Sequence, residues 1–210
     1  MKIAILGGTG SLGKGLGSRW IKAGHEVFIG SRDLLKAKDI AVQLGLDSSS
    51  GMLNIDAAKS CELACLTVPF AHQESTLLSI ENALHNKIMV DATVPLMPPK
   101  VMRVQLPEAG SAALNAQSIL GEHTTVISAF QNISAELLQN DANIDCDVLV
   151  AGDLVDARNT VIGLASDAGL TGWHAGPLCN SVAAEALTSI LIAINKKHSL
   201  AHSGIKITGH

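Results

Sequence analysis

Three glycines near the start of the chain, Gly8, Gly10 and Gly13, keep the spacing G-x-G-x-x-G, and the apolar run Lys2 to Leu6 leads into them. That arrangement is suited to gripping a pyrophosphate. One glycine turns the chain, one lets the backbone close on the phosphates, and one lets a helix pack tightly on a strand. The phosphates then sit on the free N–H groups and positive dipole end of the helix. Thr9, Ser11 and Leu12 share the loop. A tight glycine turn that binds nothing is the bland alternative. The strand before the loop, the helix after it and a second strand beyond favour a dinucleotide.

The second strand selects the dinucleotide. Glu26 to Gly30 is apolar and extended, and it ends in Ser31-Arg32. An NAD site places a carboxylate here to accept hydrogen bonds from the ribose hydroxyls. Arg32 instead offers a planar cationic fork suited to a phosphate, and Ser31 a hydroxyl. Lys36 lies one helical turn further on and can face the same spot. Asp33 reads as a helix N-terminal residue favoured by the dipole. NADP is therefore expected rather than NAD. The plain alternative is a solvated helix start.

Strands and helices alternate around these residues. Helical spacing runs from Leu34 to Leu44. A short strand is expected at 51–53, a small helix around Asp56, an apolar strand from Leu63 to Val68, a helix from His72 to Leu84 and a strand from Lys87 to Asp91. This is the pattern of an α/β, Rossmann-type, doubly wound, mostly parallel sheet with a small C-terminal helical portion. The stretch 93–107, with three of the six prolines in 94–99, is expected to form a rigid loop at a strand's carboxyl end, where such sheets bind ligands. Further elements are expected at 111–120 (helix), 124–129 (strand), 148–152 (strand), 155–168 (helix), 171–175 (strand) and 181–196 (helix, capped by Asn180 or Ser181). A dinucleotide domain over 1–150 and a small domain over 151–210 completing the acceptor cleft are the expected division.

Composition narrows the function. The 210 residues are 47% hydrophobic and 16% charged with a net charge of −4, which argues against a nucleic-acid binder. Aromatics are 2%, too few for base-stacking platforms. No leader-like order of segments and no apolar run of membrane-spanning length are read, so a cytoplasmic protein without a membrane partner is expected. Cys61, Cys65, Cys146 and Cys179 lack metal-ligand spacing and are expected to be buried, reduced thiols; no metal is expected from these or from His198, His202 and His210. Tyrosine is absent, which removes the short-chain dehydrogenases with their Tyr-x-x-x-Lys pair.

Several stretches together resemble the NADPH-dependent reductases of the deazaflavin coenzyme F420. They are Gly7 to Leu16, Gly30-Ser31-Arg32, Leu66 to Pro69, Leu106 to Ala113, Ser128-Ala129-Phe130, Asp147 to Asp153, Ala175 to Leu178 and Gly204-Ile205-Lys206. The resemblance covers nearly the whole chain in order. It implies NADP(H) and coenzyme F420 as co-substrates. NADP would lie along Thr9, Gly10, Ser11 and Leu12, with Ser31, Arg32 and Lys36 on the 2′-phosphate. Val68, Pro69 and His72, and further along Val94 and Ala135, would flank the dinucleotide. The deazaflavin would lie among Val94, Pro95, Phe130, Gln131, Asn132, Ile133, Leu200 and Ser203. It also implies a homodimer; Val182, Ala186, Ile190 and Ile194 on one side of the last helix offer either a dimer seam or a face that packs on the sheet. Where members of that family often carry a histidine, this chain has Gln131 and Asn132, which donate hydrogen bonds but do not titrate.

Hydride passing between two rings demands that the reacting carbons face each other with water excluded, and little else from the protein. No catalytic residue is expected. Lys100 and Arg103, after the proline run, are candidates to attract the anionic tail of the deazaflavin. Two other readings remain. One is an NADPH-dependent reductase of an imine, ketone or flavin, although no helical lysine accompanies Asn180. The other is an NADPH-sensing protein without activity.

Overall fold

The computed structural model describes residues 1–140 and 143–209; His210 lies outside the described residues. Six parallel strands form the main sheet: β1 (Lys2–Leu6), β2 (Glu26–Ser31), β3 (Gly51–Leu53), β4 (Leu63–Leu66), β5 (Ile88–Asp91) and β6 (Thr125–Ser128), in the order β3-β2-β1-β4-β5-β6. Strands buried on both faces read as continuous apolar runs, as these do. Side chains alternate along β1. Ile3 and Ile5 enter an apolar cluster on one face, and Ala4 and Leu6 enter another on the opposite face. The crossovers are α1 (Ser11–Lys22), α2 (Leu34–Gln43), α3 (Asn54–Ser60), α4 (Gln73–Ile80) and α5 (Ala112–Leu120). The expected helix at 72–84 is narrower than its apolar spacing suggested, because 3-10 turns at Phe70–His72 and Glu81–Leu84 flank α4.

A second, two-stranded parallel sheet joins β7 (Asp147–Val150) to β8 (Thr171–His174) through α7 (Val155–Asp167). It docks on the edge of the main sheet by an antiparallel bridge between Ser128 and Ala151. The apolar core runs on across this junction: Trp20, Ile127, Val150, Val161 and Leu164 belong to one cluster. The Trp20 indole also donates to the Leu164 carbonyl at 2.9 Å, fastening α1 to α7. A short helix not expected from the sequence, α6 (Ala135–Gln139), is capped by Ser134 and packs on α1.

The last helix, α8 (Ser181–His198), inverts the usual pattern. It buries Ser181, Ala184, Glu185 and Ser189, while Ile190 and Ile194 are exposed. With its preceding turn it spans Leu178–His198, long and apolar enough by length and composition alone to cross a membrane, although Glu185, Thr188 and Ser189 interrupt the apolar run. Neither expected cap forms. Asn180 makes no cap bond and donates to the Ala175 carbonyl, and Ser181 donates to Ser111 Oγ. All four cysteines are free, but Cys179 is exposed rather than buried.

Candidate dinucleotide and acceptor sites

The strand order reverses between β1 and β4, and a cavity of about 400 Å³ opens there at the carboxyl ends of the strands. Crevices at this reversal are where open α/β sheets bind ligands. Gly7, Thr9 and Gly10 line it from the first turn, Ser31 and Arg32 from the end of β2, and Val68, Pro69 and His72 from beyond β4. Sequence reasoning missed Gly7, Asn54, Thr67, Ser75, Thr76 and Ser79, which line the same cavity. The sharp turn belongs to Gly7, with φ +74°, and not to Gly8. Asn54 holds that turn by accepting from the Gly7 N–H at 3.2 Å.

The glycines divide the work. A Cβ on Gly8 would lie 2.8 Å from the Ile5 carbonyl oxygen, and one on Gly13 would lie 2.7 Å from Gly8 Cα and 2.8 Å from Thr67 Oγ1. Those two close the packing. A Cβ on Gly10 would meet nothing nearer than 3.6 Å, so Gly10 keeps the cavity open. The α1 ladder begins with Lys14 N–H donating to the Gly10 carbonyl, which leaves the amides of Ser11, Leu12 and Gly13 free at a helix start without acidic residues. These features fit a pyrophosphate.

Asp33 caps α2. Its carboxylate accepts from Leu35 N–H at 3.1 Å and Lys36 N–H at 3.2 Å, and its own N–H donates to Ser31 Oγ. That places Asp33 at the helix N-terminus, as the sequence reading held, with both cap bonds on Oδ1. Arg32 is exposed and makes no hydrogen bond or ion pair among the described residues. Lys36 is exposed on α2 and lies outside the cavity lining, as do Ser11, Leu12, Val94 and Ala135; Ala135 packs instead beside Gly15 of α1.

A second cavity, about 200 Å³, lies between the loop after β6 and the C-terminal tail. Gln131, Asn132, Ile133 and Ser203 line it as expected, joined by Ser134, Thr188, Asn195 and His202. Pro95, Phe130 and Leu200 are not in its lining. Phe130 has φ +74°, which swings its ring inward onto Trp20 (centroids 5.9 Å apart) instead of toward a ligand. Lys100 and Arg103 are exposed on the proline loop.

Two buried carboxyls lie beneath. Asp91, at the end of β5, accepts from Gln73 Nε2 at 2.6 Å and from Thr93 N–H at 2.8 Å. Glu185 of α8 caps α5 from outside, accepting from Ala112 N–H at 2.6 Å and Ala113 N–H at 3.1 Å. Burial nevertheless pushes the Glu185 carboxyl up to about 7, and burial raises Asp91 as well. A folded pKa raised above 4.5 makes the native state hold the proton longer than the unfolded chain does. This contribution is therefore complete below pH 4.5 and is lost as pH rises to about 7, at most ~3 kcal/mol. Thermal unfolding from pH 4.5 to 7.5 is expected to show that decline, several degrees for a chain of this size. Glu185→Gln should flatten it. An equally steep decline in the variant would refute the assignment.

The comparisons agree with this geometry. A family profile described as "NADP oxidoreductase coenzyme F420-dependent" matches residues 2–95. The F420-dependent NADP reductase of Methanothermobacter thermautotrophicus is 40% identical over 99% of this chain and 95% of its own length. The chain belongs to the F420-dependent NADP reductase family. A second relative with that name, from Methanocaldococcus jannaschii, is 38% identical over 99% of the chain and 98% of its own length. Among solved structures, a putative F420-dependent NADP-reductase from Arthrobacter superposes with a TM-score of 0.85 at 25% identity, covering both chains completely. The two cavities thus belong to a reductase fold matched from end to end.

Proposed function

We propose that the protein transfers a hydride between NADPH and the deazaflavin coenzyme F420. The observation that carries this reading is the unpaired Arg32 beside Ser31 at the rim of the β1/β4 cavity, in a chain matched over its length by F420-dependent NADP reductases. The free amides of α1 would hold the pyrophosphate, and Ser31 and Arg32 the 2′-phosphate. The loop after β6 and the tail would hold the acceptor. Positioning and water exclusion are then the protein's main contribution. Mixed with NADPH and F420, the protein should bleach the deazaflavin's visible absorbance while NADPH is consumed. Unchanged absorbance with NADPH still bound would reject the reading, and turnover of an imine, ketone or flavin instead would point to the other reductase class.

The working unit is proposed to be a cytoplasmic homodimer joined through α8, whose apolar side carries Val182, Ala186, Ile190 and Ile194. Supporting it is the inverted helix: its polar residues already face the protein, with Glu185 capping α5, so the apolar side is left for a second copy. Ile190→Glu is expected to sediment as a folded monomer at concentrations where the parent chain sediments as a dimer. A parent that is monomeric, or a variant that still dimerises, removes the seam.

A further inference from the structure

Reducing a deazaflavin with a dihydronicotinamide leaves one proton to be delivered. A C–H bond of the nicotinamide breaks with its electron pair, and a new C–H bond forms on the acceptor ring. The nicotinamide is oxidised, the acceptor is reduced, and the charge left on the acceptor ring is neutralised when a ring nitrogen takes a proton. That proton comes either directly from water or from a group in the acceptor cavity.

The amides of Gln131 and Asn132 are already committed. Both hydrogens of Gln131 Nε2 go to the Asp91 carbonyl at 2.9 Å and Ser128 Oγ at 2.8 Å. Both hydrogens of Asn132 Nδ2 go to the Ala184 carbonyl at 2.8 Å and Thr188 Oγ1 at 3.1 Å. Gln131 Oε1, buried and without a partner, is an acceptor only. Among the described residues lining the cavity, His202 alone carries a titratable side chain.

His202 is held in place from several sides. Its backbone is left-handed, φ +59°, a conformation costly for a side-chain-bearing residue and concentrated at functional sites. Ser134 Oγ and His202 Nδ1 share a hydrogen bond of 2.9 Å. The next residue pins the tail, with Ser203 N–H donating to Asn195 Oδ1 at 3.3 Å. His202 Nε2 makes no hydrogen bond among the described residues, and the Glu136 carboxylate, the charged group facing it, lies 3.8 Å away. With its side chain 32% exposed, the imidazole reaches both solvent and cavity.

We infer that His202 delivers the proton that the reduced acceptor takes up, and that solvent then recharges it beside Glu136. This rests on the F420 reaction proposed above. His202→Asn is the informative variant, because asparagine tolerates the left-handed backbone. It should lower kcat for F420 reduction by roughly 10²-fold, the low end of general-acid effects, and change the shape of the kcat–pH profile. The Kd for NADPH and the unfolding temperature should stay unchanged. A tail that merely clasps the cavity would raise KM for F420 and leave that profile intact. A second readout needs no turnover. The imidazole C2–H signal missing from the variant should shift when F420 is added to the parent bound to NADP⁺. A parent-like kcat–pH profile in the variant, or an imidazole signal indifferent to F420, overturns the inference while leaving the reductase reading standing. A parent that does not reduce F420 at all overturns both.

Discussion

Arg32→Ala is expected to weaken NADPH binding by roughly 100-fold and to leave NADH binding within about twofold. A charge-assisted hydrogen bond is worth about 1.5–3 kcal/mol, and a guanidinium fork can make two of them to one phosphate. About 2.8 kcal/mol corresponds to two decades in Kd. Arg32 has no hydrogen bond or ion pair with the rest of the protein among the described residues, so its loss should leave the unfolding temperature unchanged. Because it is exposed, the effect should shrink as salt rises and the Debye length shortens. Lys36 lies outside the cavity lining, so Lys36→Ala should cost no more than about threefold. Titration calorimetry with both nucleotides at two salt concentrations measures all of this. Equal losses for NADPH and NADH would mean that Arg32 does not meet the 2′-phosphate, and the cofactor assignment would have to change.

Much of the dinucleotide side was legible in the sequence because its determinants are local. Strand, glycine turn and helix follow one another within Lys2–Lys22, and Ser31-Arg32 sits at the predictable end of β2. Asp33 could be read as a helix N-terminal residue because it stands next to the apolar helix start, where the structure makes it the cap that accepts from Leu35 and Lys36. Asn54, Thr67 and the serines of α4 gave no such signal: they converge on the cavity from the end of β3, the end of β4 and the helix after it, and only the tertiary fold brings them together. The acceptor side was less legible for another reason. Side-chain direction after a strand depends on φ, and the positive φ of Phe130 sends its ring into the core and leaves the cavity wall to Gln131 and Asn132. Helix α6 is a single capped turn of five residues, too short for apolar periodicity to register. In α8, Ser181, Glu185 and Ser189 face inward because Glu185 takes the two α5 amides that the Ser111 cap leaves open, a requirement that exists only once the two helices meet.

Two glycine substitutions separate a nucleotide cradle from a mere turn. Gly13→Ala puts a methyl 2.7 Å from Gly8 Cα, so α1 must lift off the loop. Overpacking of this kind costs about 1–3 kcal/mol, and the upper end corresponds to roughly 6–12 °C in a chain of this size. Gly10→Ala is the opposite case. Its backbone, φ −78° and ψ 167°, suits alanine, and its methyl meets the carbonyl oxygens of Gly7 at 3.6 Å and Thr67 at 4.0 Å, both ordinary contacts. Restricting the unfolded chain there should hold stability level or raise it by about 0.4–1 kcal/mol. Yet that methyl projects where the pyrophosphate must approach the backbone, so NADPH affinity should fall by roughly 10- to 100-fold. Selection for stability alone would have no use for glycine at position 10. If Gly10→Ala binds NADPH as tightly as the parent, nothing approaches the backbone there, and the loop is a turn without a ligand. If it unfolds near the parent temperature and has lost the nucleotide, Gly10 is there for the phosphates, and the stability lost in Gly13→Ala reports packing alone.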